Sequence, residues 1–531
     1  MPRPRSRRRR LRRSDDSPTG GGGNSGQRRF DSPATWPLDS VAPVDFASIF
    51  IHGWLGIDLV GLVVRLAAVL VVPVNRRPSS AMAWLLAIFL IPYVGVTAFL
   101  LIGNPKLPKH RRDKQRQING MLAVLSEDAP EIVPAPGLEW VSSIARLNRN
   151  LGSLPMSTGN SATLIEDYDD SLRQMATAVD AAERYVLCEF YILSVDDATV
   201  PFFASLEAAV NRGLPVHVLF DHIGSRGVPG YRATVAHLDA IGVEWRPMLP
   251  VMPLRGKYQR PDLRNHRKIL VVDGEVGFLG SLNLIDRTYN KSANRKRGLM
   301  WQELVTRVEG PVVRAMNAVF LSDWYSETGE ILVDQAPGFT DEPVREVGDL
   351  ACQIVPSGPG FDNDNNLKLF NSLIYQARGR VSLTSPYFVP DESLIAAVTT
   401  AAERGVAVEL FVSELGDQPM VYHAQRSYYE VLLRAGVRIY LYPAPYILHA
   451  KHFTIDDDVA VIGSSNMDMR SFGLNLEVVM MTSGRSFTAA MRAVEDRYRE
   501  ISRELTLEEH LDQGLATRVL DNLARLTSAL Q

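Results

Sequence analysis

The sequence predicts an α/β fold of two similar halves packed about a pseudo-twofold axis, preceded by a pair of transmembrane helices. From about residue 156 onward, short apolar runs alternate with helical patterns, which is typical of a sheet covered by helices. This part of the chain also repeats itself at an offset of about 190 residues, far longer than a solenoid repeat. Two long apolar runs come before it.

The internal repeat consists of matching segments in matching order. The pairs are residues 208–213 with 401–405, residues 241–243 with 435–437, and residues 189–191 with 385–387. We therefore predict a duplicated domain with halves at residues 156–330 and 345–510. Residues 104–155 are the predicted linker, and residues 511–531 form an amphipathic helical tail that we expect to pack on the domain.

Charge and cysteine content are uneven along the chain. Within the first 29 residues, ten arginines face two aspartates, although the 531-residue chain has a net charge of -3. Residues 1–45 are rich in Arg, Ser, Gly and Pro, so we expect a disordered arm. A basic arm beside apolar segments suggests an anionic membrane surface, but alone it also suits nucleic acid. Cys188 and Cys352 lie in apolar, strand-like runs and are predicted to be buried thiols rather than a disulfide.

Two transmembrane helices are predicted within residues 53–103. Residues 81–102 contain no charged side chain and are long enough to cross a bilayer; a buried core helix is the alternative. The other span, residues 53–74, contains Asp58 and Arg65. A central arginine costs about 3 kcal/mol on insertion scales, which the surrounding Leu, Val and Ile offset.

Flanking charge predicts the orientation of this pair. The connecting turn has Arg76 and Arg77, whereas the arginine-rich arm precedes the first span. A second basic cluster follows the pair: Lys106, Lys109, Arg111, Arg112, Lys114 and Arg116. The positive-inside rule then places both ends of the pair, and the two halves that follow, in the cytoplasm.

Each half carries the same motif, His-x-Lys-x-x-x-x-Asp followed by Gly-Ser-x-Asn. The first copy supplies His266, Lys268, Asp273, Ser281 and Asn283, and the second supplies His449, Lys451, Asp456, Ser464 and Asn466. A histidine and a lysine two residues apart on a strand point to the same face. One His-x-Lys alone would be ambiguous, but two complete copies in a duplicated chain indicate a functional site.

The motif residues suit phosphodiester exchange without a metal. If the halves pack about a twofold axis, the two histidines face each other across one site. One neutral imidazole attacks phosphorus, while the other protonates the leaving alcohol and then deprotonates the incoming one. Both lysines and both asparagines, with the two serines, are predicted to surround the phosphoryl oxygens. No cluster in the sequence predicts a metal site, and we expect no cofactor.

Four acidic residues recur with the motif. Glu303 and Glu477 each begin an apolar strand. A carboxylate that accepts from a histidine ring nitrogen fixes the tautomer, so we predict that Glu303 orients His266 and Glu477 orients His449. A solvated carboxylate at a strand edge is the alternative. The motif aspartates complete the predicted catalytic set, although we expect them to anchor turns rather than to do chemistry.

These residues resemble the phospholipase D superfamily, whose signature is this duplicated motif. Within it the chain is similar to bacterial cardiolipin synthases, through Ala-Trp-Leu-Leu at 83–86, Ile-Pro-Tyr-Val-Gly at 91–95, Leu-Phe-Asp-His-Ile-Gly-Ser at 219–225 and Val-Pro-Ser-Gly-Pro at 355–359. The resemblance runs from about residue 53 to residue 510, and the arginine-rich arm departs from the family pattern.

The resemblance implies a multi-pass phosphatidyltransferase of the cell membrane. It would transfer a phosphatidyl group between two phosphatidylglycerol molecules through a phosphohistidine on His266, giving cardiolipin and glycerol. Anionic membrane lipids are then the expected partners, and nucleic acid is not. Two groups of basic residues support anionic lipids as partners. The first lies before and within the first motif and consists of Lys257, Arg260, Arg264 and Arg267. The second lies in a loop, which a simply solvated loop would explain equally well, and consists of Lys291, Arg295, Lys296 and Arg297.

Three alternatives remain at this point. A hydrolytic membrane phospholipase D has the same motifs, because only the acceptor differs. A nuclease of the superfamily is compatible with the basic arm but not with two membrane spans. A scaffold without activity is disfavoured by the intact histidine and lysine in both copies.

Overall fold

The computed structural model describes residues 46–74, 76, 78–103, 107–125, 138–252, 259–332, 345–361 and 364–528. The predicted disordered arm lies outside these residues, and so do Asn75, Arg77, Lys106 and Lys257. The chain divides into two compact units, Met1–Val63 and Val64–Gln531.

The N-terminal helices differ from the prediction in the second apolar segment. The helices before the first half are α1 (Phe46–Val71), α2 (Pro78–Leu90), α3 (Pro92–Ile102), α4 (Lys109–Leu125) and α5 (Glu139–Asn150). Residues 81–102, predicted as one span, form two helices because Pro92 has no N–H to continue α2. The rings of Trp84 and Phe99 lie 5.6 Å apart, so α3 folds back on α2. In the described part of the chain, no helix combines the length and the apolar character that a bilayer crossing requires.

The two halves contain equivalent elements in equivalent order. The first half consists of β1 (Ser157–Ile165), α6 (Tyr168–Asp180), β2 (Val186–Phe190), α7 (Val200–Asn211), β3 (Val216–Asp221), α8 (His222–Arg226), α9 (Tyr231–Ile241), β4 (Glu244–Met248), β5 (Arg264–Asn265), β6 (Ile269–Val272), β7 (Val276–Gly280), α10 (Ser292–Arg297), β8 (Met300–Gln302), β9 (Val305–Glu309) and α11 (Val312–Thr328).

The second half and the tail follow the same scheme. They consist of β10 (Leu350–Ser357), α12 (Asn365–Gln376), β11 (Arg380–Thr384), β12 (Phe388–Val389), α13 (Glu392–Glu403), β13 (Ala407–Ser413), α14 (Pro419–Arg426), α15 (Tyr429–Arg434), β14 (Arg438–Tyr442), β15 (Tyr446–Leu448), β16 (His452–Ile455), β17 (Val459–Gly463), β18 (Met467–Asp468), α16 (Met469–Gly473), β19 (Asn475–Ser483), α17 (Arg485–Ile501), β20 (Arg503–Leu505), α18 (Leu507–Leu511) and α19 (Leu515–Arg525).

One continuous sheet joins the halves, and its strand order reads the same from both sides of the junction. Among the described residues, the first half has the order β4-β3-β2-β6-β7-β9-β1 and the second has β14-β13-β11-β16-β17-β19-β10, with β20 at its outer edge. The halves meet where β1 and β10 pair antiparallel. Equivalent strands that lie side by side and antiparallel are related by a twofold axis perpendicular to the sheet. The predicted α/β fold with duplicated halves is therefore confirmed.

The strands form the centre of the core. Strands β2, β3 and β4 run parallel and are connected through helices, as are β11, β13 and β14. Every residue of β2 and β3 is buried, including the polar Glu189, His217 and Asp221. Cys188 in β2 and Cys352 in β10 are buried free thiols, as predicted.

Candidate active site

A cavity of about 490 Å³ contains the motif histidines of both halves. His266 and His449 line it together with Asn283 and Asn466. Strand pairing between the halves, here called strand exchange, brings both motifs to the cavity. Strand β5, just before His266, pairs with β19 of the second half. In the same way β15, just before His449, pairs with β8 of the first half. Each histidine is therefore held against the opposite half.

The glutamates pair with the histidines crosswise. Nδ1 of His266 lies 3.0 Å from both carboxylate oxygens of Glu477, and Nδ1 of His449 lies 2.8 and 2.9 Å from those of Glu303. The prediction that each glutamate orients the histidine of its own half was wrong. Strand exchange is the reason, since β19 contains Glu477 and Glu303 directly follows β8.

This pairing determines the tautomer of each ring. An ionised carboxylate only accepts hydrogen bonds, so Nδ1 carries the hydrogen and Nε2 keeps its lone pair. Burial lowers the pKa of His266 well below its ordinary value, and the charges of Lys268 and Lys451 lower it further. Burial also lowers the pKa of His449, but the carboxylate of Glu303 opposes this effect. His266 is thus the more strongly neutral imidazole, and His449 is the one better able to hold a proton.

The motif serines hold the glutamates. The hydroxyl of Ser464 donates to Glu477 at 2.5 Å, and Ser281 forms a side-chain hydrogen bond with Glu303. Burial raises the pKa of Glu477 to about 7. Burial also opposes ionisation of Glu303, but His449, Lys451 and Ser281 together outweigh burial and hold the pKa of Glu303 below its usual value. Neither serine is among the residues that line the cavity, so the predicted position of the serines around a bound anion is corrected.

The motif lysines lie beneath the histidines. Nζ of Lys268 donates to the backbone carbonyl of His266 at 2.6 Å, and Lys451 donates to that of His449 in the same way. Burial lowers the pKa of Lys268 to about 7 and that of Lys451 to about 8. The two lysines can therefore supply positive charge under the site, which Lys268 loses around neutral pH and Lys451 loses in mildly alkaline solution.

The two motif asparagines differ in their hydrogen-bond partners. The Oδ1 of Asn283 accepts from the backbone of Ile192 at 3.1 Å, and its Nδ2 donates to the hydroxyl of Tyr289 at 2.8 Å. The Oδ1 of Asn466 is buried and has no hydrogen-bond partner among the described residues. The polar surroundings of the cavity are therefore not symmetric.

The motif aspartates anchor turns, as expected, and do not lie in the cavity. The carboxylate of Asp273 accepts from the backbone N–H groups of residues 183, 184 and 185, which lead into β2. Asp456 accepts from residues 378, 379 and 380, which lead into β11. Their inclusion among the predicted catalytic residues is thus corrected: both fix the ends of strands.

Several cavity residues had not been singled out from the sequence. The ring of Tyr191 lies 4.9 Å from that of His266, and Tyr387 lies 6.4 Å from His449. These tyrosines occupy equivalent positions in the internal repeat, and that signal identifies them. Asp468 lines the cavity where the first half has Ile285, so the repeat does not predict it.

The predicted basic residues divide into three groups. Arg264 and Lys291 line the cavity. Arg267 is buried and forms an ion pair with Asp323, while Arg260 pairs with its neighbour Asp262. The remaining ones, Arg295, Lys296 and Arg297, end the short helix α10.

One imidazole that keeps its Nε2 lone pair and a second that can hold a proton line the same cavity above two buried lysines, and this is the arrangement that phosphodiester exchange needs. The sequence matches the family model described as cardiolipin synthase, phospholipase D-like domain, over residues 175–324 and 370–498. It also matches the phospholipase D-nuclease N-terminal model over residues 62–104.

Known proteins agree with these matches. Cardiolipin synthase A of Salmonella arizonae is 32% identical over 461 residues, which cover 86% of this chain and 94% of that protein. The enzyme of the same name from Salmonella paratyphi B matches to the same extent. Phosphatidylserine synthase of Haemophilus influenzae shares the fold, with a TM-score of 0.55 and 13% identity over 73% of this chain and 100% of that one. The chain belongs to the bacterial cardiolipin synthase family of the phospholipase D superfamily, and it is a phosphatidyltransferase.

Proposed function

We propose that this enzyme transfers a phosphatidyl group from one phosphatidylglycerol molecule to another through a phosphohistidine, giving cardiolipin and glycerol. The observation that carries the proposal is the crossed pairing of two histidines and two glutamates around one cavity. The two Salmonella relatives described above match most of the chain and bear the name cardiolipin synthase A.

In the first half-reaction, His266 is the nucleophile. Its Nε2 lone pair attacks the phosphorus of the first phosphatidylglycerol, and the bond from phosphorus to the headgroup glycerol oxygen breaks. His449 gives its proton to that oxygen, so glycerol leaves as a neutral alcohol. The strongly lowered pKa of His266 supports its assignment as the nucleophile, because the attacking imidazole must be unprotonated. Glu303 stabilises the protonated form of His449, which acts as the acid.

In the second half-reaction, His449 acts as the base. It removes the proton from a headgroup hydroxyl of the second phosphatidylglycerol, and the oxygen attacks the phosphohistidine. The phosphorus–nitrogen bond breaks, cardiolipin is released and His266 returns to its neutral form. Lys268 and Lys451 provide positive charge for the phosphoryl oxygens in both steps.

Lipid analysis tests this proposal. One phosphodiester is broken and a similar one is made, so phosphatidylglycerol vesicles alone should yield cardiolipin and glycerol in equal amounts without a cytidine nucleotide. Added glycerol should drive the reaction backwards, and a His266→Ala variant provides the inactive control. Phosphatidic acid as the main product would identify a hydrolase instead. An absolute requirement for cytidine-diphosphate-diacylglycerol would exclude the mechanism.

We also infer that the N-terminal helices hold the enzyme at the membrane, with the catalytic halves on the cytoplasmic side. Most exposed large apolar side chains of the described residues lie between residues 59 and 101. Basic residues follow this segment, as the positive-inside rule requires for a cytoplasmic end. A cysteine in place of Lys109 should resist a membrane-impermeant thiol reagent in intact cells. Rapid labelling there would place the halves outside.

A further inference from the structure

Helix α19 presents its apolar side to solvent. Its outward side chains are Leu515, Val519 and Leu523, which are 76%, 48% and 55% exposed, and Leu526 after the helix is 81% exposed. Spacings of four, four and three residues place these side chains on one face. The tail was predicted to pack on the domain, and it does so through its other side, where Asp521 and Ala524 are buried.

A buried carboxylate fixes this orientation. Asp521 is 4% exposed, and its oxygens lie 2.6 Å from Nδ1 of His423 and 3.4 Å from Nε of Arg426. Arg426 also bonds to Gln513, which leads into the helix. Rotating the helix to bury its leucines would break these contacts and turn a different face of α19 toward α14. These polar contacts therefore determine which face of α19 points outward, and the helix is not a loosely packed tail.

The charges on α19 suit an anionic surface. Between residues 514 and 527 the exposed charged side chains are Arg518 and Arg525, and the one acidic residue is the buried, bonded Asp521. A row of leucines flanked by arginines is the composition of helices that lie in the interface of anionic bilayers.

The same region of the fold forms a wall of the catalytic cavity. Helix α19 packs against α14. Val421 of α14 and the preceding Gln418 line the cavity, whereas Met420 between them is 46% exposed. Helix α19 thus contacts the helix that borders the site, and that helix also exposes an apolar side chain.

We propose that the outward face of α19 inserts into the surface of an anionic phospholipid bilayer. This contact places the cavity wall formed by α14 beside the lipid, so that a headgroup reaches His266 and His449 while its acyl chains stay in the bilayer. This docking surface does not depend on which phosphatidyl acceptor the cavity uses.

Lipid quenching tests this proposal without depending on turnover. The full-length protein is reconstituted in phosphatidylglycerol vesicles with Leu523→Cys carrying an environment-sensitive fluorophore. Cys188 and Cys352 have 0% exposure, so the label goes to the introduced thiol. Val200→Cys is the matched control, because Val200 is apolar, 51% exposed and located in the other half.

The expected result is that lipids brominated along the acyl chains quench the label at residue 523 several-fold more than the label at residue 200. Quenching should weaken when phosphatidylcholine replaces phosphatidylglycerol. Equal quenching at the two positions would overturn the proposal. The label at residue 523 could instead be shielded from water without being quenched by brominated lipid. If two copies of the unlabelled Leu523→Cys protein then also form a disulfide crosslink, a second copy covers the face and the proposal is wrong.

Discussion

Replacing Glu477 by glutamine should slow the attack of His266 on phosphorus by roughly ten- to a hundredfold. The two carboxylate contacts at 3.0 Å form a buried hydrogen bond to a charged group. Such bonds contribute about 1.5–3 kcal/mol, and each 1.4 kcal/mol is about a tenfold change in rate. Glutamine has the same shape and still offers an acceptor to Ser464, so the melting temperature should change little.

The assay isolates the first half-reaction. A phosphatidyl ester of nitrophenol has a leaving group that needs no protonation, so formation of the phosphohistidine does not require His449. In rapid-quench experiments with this ester, Glu477→Gln should slow formation of the intermediate, whereas the matched variant Glu303→Gln should not. The opposite pattern would refute the crossed pairing and restore the pairing within each half.

The pH dependence provides a second readout of the same variant. Because burial raises the pKa of Glu477 to about 7, the carboxyl is protonated below that pH and cannot accept from His266 as an anion. Ionisation of Glu477 should therefore raise the wild-type kcat/KM as the pH passes about 7, in opposition to the loss of charge on Lys268 in the same range, so the effect is read as the difference between the wild-type and Glu477→Gln profiles. Glutamine does not titrate, so the variant should lack this rise. A rise that persists in Glu477→Gln would assign it to another group.

Three further predictions concern a motif lysine, a motif aspartate and a glycine that contacts Tyr191. Burial lowers the pKa of Lys451 to about 8, so kcat/KM should fall as the pH increases above that value; a flat alkaline profile would argue against a role for its charge. Asp456→Asn should lower the free energy of unfolding in urea by about 1–3 kcal/mol while leaving kcat nearly unchanged. A large loss of kcat at unaltered stability would return Asp456 to the chemistry. Gly224→Ala should reduce kcat several-fold, because the new Cβ would lie 2.5 Å from the ring of Tyr191, which contacts His266. An unchanged kcat would show that the tyrosine does not position the histidine.

The sequence was sufficient to predict the duplicated fold and the meeting of both motif histidines and both motif asparagines in one cavity. The internal repeat determines which strands are equivalent, and equivalent histidines meet when the halves pack about a twofold axis. The expectation that His266 and Lys268 share a strand was wrong, because residues 266–268 lie between β5 and β6, and Lys268 instead donates to the backbone carbonyl of His266.

The crossed glutamates were not predictable from local patterns. Strand β5 pairs with β19, more than 200 residues later, and nothing in the spacing of either motif encodes that contact. Pro92 was a usable signal for the break between α2 and α3, since proline interrupts a helix. In α19, periodicity predicts an amphipathic helix but not which side faces the protein. That choice depends on the contact between Asp521 and His423, which are 98 residues apart.

Trapping the covalent intermediate tests the central claim most directly, namely that the two histidines of one cavity have separate roles. The His449→Ala variant is incubated with the nitrophenyl phosphatidyl ester, digested and analysed by mass spectrometry. We predict that phosphatidyl accumulates on the peptide containing His266, because the nucleophile is intact and the base that completes turnover is missing. The assignment would be contradicted if the phosphatidyl group accumulated on His449 in the His266→Ala variant and did not accumulate on His266 in the His449→Ala variant.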